Sequence, residues 1–141
     1  MDQTRAVGDD IDVLVIEDLP GWQWRVERDT KQVLGAATHI HFADTIAQAE
    51  QKLESLADRL GLVVFDLGMP LTEHGMPLLR RIRHGDFGNH VAAVKVLVFS
   101  VANQAQVISD VEALGVKFCA REGANPRERY KEDLLHLWRE E

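Results

Sequence analysis

The stretch Leu62-Val63-Val64-Phe65-Asp66-Leu67-Gly68-Met69-Pro70 constrains this chain more than any other. An unbroken apolar run, Leu62 to Phe65, ends in one carboxylate, and Gly68 and Pro70 turn the chain directly afterwards. A short β-branched and aromatic run between turn residues reads as a strand buried on both faces. Such strands belong to parallel sheets sandwiched between helices. An acid at the carboxyl end of one sits where open α/β sheets place their ligand sites.

The rest of the chain repeats this strand with helices in between. Ile11 to Ile16 is a second buried strand, ending in Glu17 and Asp18. Pro20 suits a helix first turn, and a helix is expected from Trp22 to Leu34. Residues 37–43 alternate as a short strand. Asp44 or Thr45 then caps a helix to about Leu60, with Ile46, Ala49, Leu53, Leu56 and Leu60 at steps of three and four. Gly61 is expected to close it. Met76 to His84 reads as a third helix, and a Gly-rich connection over 85–88 leads to a strand from Val94 to Phe99, ending at Ser100. A fourth helix is expected from Gln104 to Leu114, stopped by Gly115. Val116 to Ala120 is a fifth strand, ending at Arg121. Asn125 as cap and Pro126 in the first position open a last helix, with Tyr130, Leu134, Leu137 and Trp138 as its buried stripe. Residues 1–10 lack periodicity and read as a flexible leader before one domain over 11–141.

Strand and helix alternate five times, which means a doubly wound α/β fold with a parallel sheet. The flavodoxin-like order 2-1-3-4-5 is adopted by analogy; periodicity alone does not give it. The chain has 141 residues, 45% of them hydrophobic, which suits a single domain with an ordinary core. Its net charge of -7 speaks against direct nucleic-acid binding. No apolar stretch approaches the roughly 18–20 residues of a membrane span, and no signal pattern opens the chain. The single cysteine, Cys119, excludes an internal disulfide and fits a cytoplasmic setting. Inside a strand, it is expected to be inert.

In the order 2-1-3-4-5, strands one and three are neighbours, so Glu17, Asp18 and Asp66 meet at one end of the sheet. Like charges this close raise a pKa unless something neutralises them. A hard divalent cation is the usual answer, and Mg2+ suits all-oxygen ligation with retained waters. Ser100 brings a hydroxyl from strand four and Arg121 a fixed charge from strand five. Together they form a site for a phosphoryl group, with Asp66 as nucleophile and the metal and Arg121 offsetting charge. Each residue alone has a plainer reading: Asp66 as a turn residue, Glu17-Asp18 as a solvated strand end, Ser100 as a strand terminus, Arg121 as a surface charge, Phe118 as core. Their convergence favours the site. The six histidines show no zinc spacing, and His39 and His41 are expected to face solvent. Arg80, Arg81 and Arg83 read as a solvated helix face, and Trp22 as packing that could also report on the site.

At this point the chain resembles the receiver domain of a two-component response regulator, over roughly residues 10–140. The first-strand acid pair followed by Pro20, Asp66 with Met69-Pro70 behind it, the fourth strand ending in Ser100, and Phe118 three residues before Arg121 carry the resemblance. It implies that a histidine kinase or histidine phosphotransfer protein supplies a phosphoryl group to Asp66. It implies direct Mg2+ ligation by Asp18, Asp66 and the backbone carbonyl of Gly68, with Glu17 acting through water. Ser100 and Phe118 are then the switch residues. The face built from the fourth helix, fifth strand and fifth helix changes its preference for an output domain or protein partner, and a homodimer through the fourth and fifth helices is compatible with this. Such a domain catalyses only its own phosphorylation and dephosphorylation.

The chain departs from the family where it carries Arg121-Glu122 instead of Lys, often followed by Pro. Arg and Lys are not interchangeable. One rival reading is therefore a phosphorylation-independent interaction module on the same fold. A second is a small hydrolase or phosphatase using Asp66. A flavodoxin-type redox role lacks the hydroxyl-rich loop after strand one.

Overall fold

The computed structural model describes residues 11–66, 72–101 and 105–139, with side chains left aside for 72–74. The leader over 1–10 and the turn containing Gly68, Met69 and Pro70 lie outside the described residues.

Five strands, β1 (Asp12–Ile16), β2 (His39–Ala43), β3 (Leu60–Phe65), β4 (Lys95–Ser100) and β5 (Lys117–Ala120), form one parallel sheet in the order β2-β1-β3-β4-β5. The helices are α1 (Pro20–Leu34), α2 (Ile46–Leu56), α3 (Thr72–His84), α4 (Asn89–Ala92), α5 (Ala105–Ala113) and α6 (Pro126–Arg139). The expected doubly wound α/β fold and its strand order are thus observed. The fourth and fifth helices of the sequence reading are α5 and α6.

Strand alternation is replaced by continuous burial in β1, whose residues are all buried, and almost so in β3 and β4. One side of the sheet packs Leu14, Ile16, Val63, Phe65 and Val98 against α2, α3, α4 and α5. The other packs Val13, Val15, Val64, Leu97 and Phe99 against α1 and α6. On that second side the Thr30 and Tyr130 hydroxyls share a buried hydrogen bond of 2.6 Å between α1 and α6. Buried hydroxyls need such partners.

Several boundaries differ from the sequence reading. Helix α1 starts at Pro20, in its first turn, rather than at Trp22. Thr45, not Asp44, caps α2, its hydroxyl accepting from the Gln48 amide at 3.1 Å. That helix stops at Leu56, and a short 3-10 turn over Ala57–Arg59 follows. Gly61 is therefore not a helix terminator: it lies in β3, where the pairing with β1 shifts register between Asp12 and Val13. A Cβ there would sit 3.1 Å from Ile11 Cβ, so close strand approach is the reason for the glycine. Helix α3 begins at Thr72 rather than Met76, which leaves Pro77 inside it; its fixed φ is helical, and one backbone hydrogen bond is lost. Between the Gly-rich connection over 85–88 and β4 lies a further single-turn helix, α4, that buries Val91 and sends His90 Nε2 to within 2.7 Å of the Leu60 carbonyl. Asn125 sits at φ 55°, and its carbonyl accepts from the Arg129 amide at 3.1 Å.

Two surface readings are corrected. His41 does not simply face solvent, since its Nε2 lies 2.7 Å from Asp12 Oδ1. Arg83 is not part of a solvated face. Its guanidinium donates to the carbonyls of Val94 (2.6 Å), Leu114 (3.0 Å) and Ala92 (3.1 Å), and burial lowers its pKa. Arg80 and Arg81 do stay exposed, Arg81 pairing with Glu50 at 2.5 Å.

Candidate functional site

Register sets the acids side by side. Ile16 pairs with Phe65 across β1 and β3, so Glu17 and Asp66 each stand one step past the last paired position. The Asp66 amide still donates to the Ile16 carbonyl at 3.0 Å, and the Glu17 amide to Ala43 at 3.0 Å. Both carboxylates are thereby fixed to the sheet rather than carried on a loose loop. Asp18 follows at the turn into α1, half-buried. One oxygen from each of Glu17, Asp18 and Asp66 lies within 4.8 Å of the others.

The other strand ends bring the remaining residues. Ser100 ends β4 and is fully buried. Its carbonyl accepts from the Arg121 amide at 2.9 Å, which carries Arg121 onto the same edge. The Arg121 side chain crosses to the acids: Nη2 donates to Glu17 Oε1 at 2.5 Å and to the Phe99 carbonyl at 2.9 Å, and Nη1 to Asp66 Oδ2 at 3.3 Å. Phe118 pairs with Val98 and packs in the core on the α5 side of the sheet. Alternation puts Ser100 on that same side, whereas Phe99 and Cys119 face α1 and α6.

Glu17 is 1% and Asp66 5% exposed. Burial pushes the Glu17 carboxyl up to about 7, with the Arg121 guanidinium opposing that rise and the Asp66 carboxylate adding to it. The strong hydrogen bond to Arg121 does not outweigh the loss of water, as is usual for buried ion pairs. The Leu19 amide also donates to Glu17 Oε2 at 3.0 Å, and Gln23 Nε2 braces the Glu17 carbonyl and Asp44, each at 2.7 Å.

The donor set is all carboxylate oxygen, close-set and partly open through Asp18, which fits a hard divalent cation. Glu17, Asp18 and Asp66 are the described residues that could hold it; the Gly68 carbonyl lies outside them. The sequence reading did not anticipate how Trp22 and Phe99 flank Arg121, with ring centroids 4.4 Å and 4.8 Å from the guanidinium carbon. The proximity of Trp22 to the acid pair in the sequence hinted at this, but α1 had to be docked on β4 before it could be read. A separate open cleft of about 690 Å3 lies between α1 and α6, lined by Arg25, Arg28, Arg127 and Lys131 among others. It is not at the acid cluster.

No family model and no curated protein sequence matches the chain. Solved structures do. A signal receiver domain of a two-component (histidine kinase) protein from Clostridium thermocellum is 14% identical, with a TM-score of 0.78 over 93% of this chain and 99% of that one. A receiver domain of a DNA-binding response regulator from Colwellia psychrerythraea is 19% identical, at 0.71 over 90% and 98%. A response regulator from Thermotoga maritima is 18% identical, at 0.71 over 92% and 98%. The chain has the fold of a response regulator receiver domain, as its strand-end motifs led one to expect. Among the described residues no helix is long and apolar enough to cross a membrane.

Proposed function

We propose that this domain is a phosphoacceptor of two-component signalling, in which Asp66 takes a phosphoryl group from a histidine kinase or histidine phosphotransfer protein. The observation that carries this reading is the meeting of Glu17, Asp18 and Asp66 with Arg121 at the carboxyl edge of the sheet. A carboxylate oxygen of Asp66 attacks phosphorus, an O–P bond forms, and the P–N bond of the donor phosphohistidine breaks with the imidazole leaving. Asp18 and Asp66, with Glu17 beside them, would hold Mg2+, which would supply positive charge against the phosphoryl oxygens. Arg121 adds a fixed positive charge. Ser100 and Phe118, on the α5 side of β4 and β5, couple the charge change to the α5–β5–α6 face, where an output domain or protein partner binds. The domain turns over no diffusible substrate, and a cytoplasmic setting belongs to the same reading.

A second reading is a docking module that works without phosphate. The hold of Arg121 on both Glu17 and Asp66 favours it, because a guanidinium that bridges two carboxylates gives them up less readily than a single lysine ammonium does. Intact mass after incubation with acetyl phosphate and Mg2+ separates the two. A gain of one phosphoryl group in the wild type, absent without Mg2+ and absent in Asp66→Asn, is expected. No gain in the folded wild type would leave the docking module standing.

A further inference from the structure

Arg121 is 7% exposed and spans two carboxylates, yet its Nε has no hydrogen-bond partner among the described residues. A buried donor left unpaired disfavours the observed pose. Besides the hydrogen bonds to Glu17, Asp66 and the Phe99 carbonyl, two aromatic rings hold the guanidinium there. Trp22 and Phe99 meet edge to face, with centroids 5.4 Å apart and planes at 84°, and both rings lie against the guanidinium. Phe99 is fixed in the core beneath β4, while Trp22 is half-buried and comes from the first turn of α1. Arrangements of this kind are strongest where the cation has lost its water, and here it has.

The positive charge of Arg121 rests on Glu17 and Asp66, two of the three carboxylates grouped closely enough for a divalent cation. A metal ion entering that group meets both a like charge and two carboxylates already engaged. We infer that Trp22 is a positioning residue that, with Phe99, clamps Arg121 onto Glu17 and Asp66, so that Arg121 is a resident cation a divalent metal must displace. The inference rests on the proposed reading only in placing a metal at this acid cluster; it does not depend on phosphoryl transfer. Trp22 thereby sets the metal concentration at which the site fills. Loosening the clamp favours the metal, whereas removing an ordinary packing residue would lower stability and leave metal affinity alone or weaken it.

Isothermal titration of the full chain with Mg2+ tests this. Trp22→Leu is expected to tighten Mg2+ binding by about thirtyfold, the factor that one desolvated cation–π contact represents. Trp22→Phe, which keeps a ring over the guanidinium, stays within about twofold of wild type. Arg121→Gln tightens binding further, and adding Trp22→Leu to Arg121→Gln changes nothing more. An unchanged or weaker affinity in folded Trp22→Leu would overturn the inference. So would the same Trp22→Leu effect in both backgrounds, or the absence of Mg2+ binding in all variants. Should Trp22→Leu not fold, the Arg121 Nε–Hε resonance of the wild type, assigned by its loss in Arg121→Lys, decides. It must shift as Mg2+ is added, because the guanidinium leaves the two ring currents, and a fixed resonance at saturating Mg2+ sinks the idea. Tightening by Trp22→Leu without phosphoryl gain from acetyl phosphate defeats only the phosphoacceptor reading. Phosphoryl gain with unaltered Mg2+ affinity defeats only the clamp.

Discussion

Lysine and arginine bring the same charge to the end of β5 but not the same shape. A guanidinium can hold two carboxylates at once and lie flat between rings, and Arg121 does both. The consequence for the metal-free protein falls on Glu17. Its carboxyl is raised from 4.5 to about 7 by burial, so the folded state binds a proton there more tightly than the unfolded chain. The unfolded chain then holds fewer protons than the folded one across this interval, and the free energy of unfolding falls as pH rises. The stability that protonated Glu17 contributes is present below about pH 4.5 and lost as pH climbs through about 7. At ~1.4 kcal/mol per unit, the full swing is on the order of 3–4 kcal/mol, most of it between pH 5 and 8. Urea denaturation of metal-free protein at pH 5, 6, 7 and 8 should show it, and Glu17→Gln should flatten the profile. A wild-type profile as flat as that of the mutant would mean that the pairing with Arg121 fully compensates burial. The identities of Glu17, Asp18, Asp66, Ser100 and Arg121 were legible because each ends a strand. The clamp was not, because it depends on which way Arg121 turns after leaving β5.

At the scale of elements, long periodic segments declared themselves and short or irregular ones did not. Helix α6 shows its buried Tyr130 and Leu134 at the expected spacing. Helix α4 is one turn long, too short for a period to register, and its Gly88 and Asn89 looked like loop. Arg83 was misread for a related reason: the run Arg80-Arg81-Ile82-Arg83 looks like a charged face, and only the path of the chain shows that Arg83 closes over open carbonyls. Those carbonyls belong to Ala92 and Val94, leading into β4, and to Leu114 after α5. One planar side chain thus ties the end of α3 to both connections. Removing it leaves several partly buried carbonyls without a donor, which costs about 2–3 kcal/mol. Arg83→Met, which keeps the aliphatic stem, should lower the urea midpoint accordingly. Arg83→Lys should recover only part of the loss, since an ammonium on a single stem lacks the fork that reaches separated carbonyls. Full recovery by lysine would show that charge alone is what this position needs.

At the scale of the whole molecule, the sheet divides two tasks. Glu17, Asp66 and Arg121 join under Trp22 and Phe99 on the side of α1 and α6, while Ser100 and Phe118 look toward α5. Each side has its own core, and β5 takes part in both. That strand is an edge of the sheet, so whether it frays independently or opens only with the whole fold bears on how far the two sides act as one unit. Cys119 is the natural probe. It is 1% exposed in the core shared by α1 and α6, and burial, first among its causes, pushes its thiol up to about 12. Thiolate is the reactive form, so at pH 8 the native thiol is both inaccessible and protonated, and labelling has to wait for an opening event. If β5 opens only globally, the labelling rate with a chromogenic disulfide falls below that of an unfolded peptide by the full equilibrium constant for unfolding. For a typical domain stability of 5–15 kcal/mol that factor is at least about a thousandfold, and it should match the value from urea denaturation. Labelling much faster than that match would locate a local opening at the β5 edge, one that carries Arg121, the next residue but one after Cys119, away from Glu17 and Asp66.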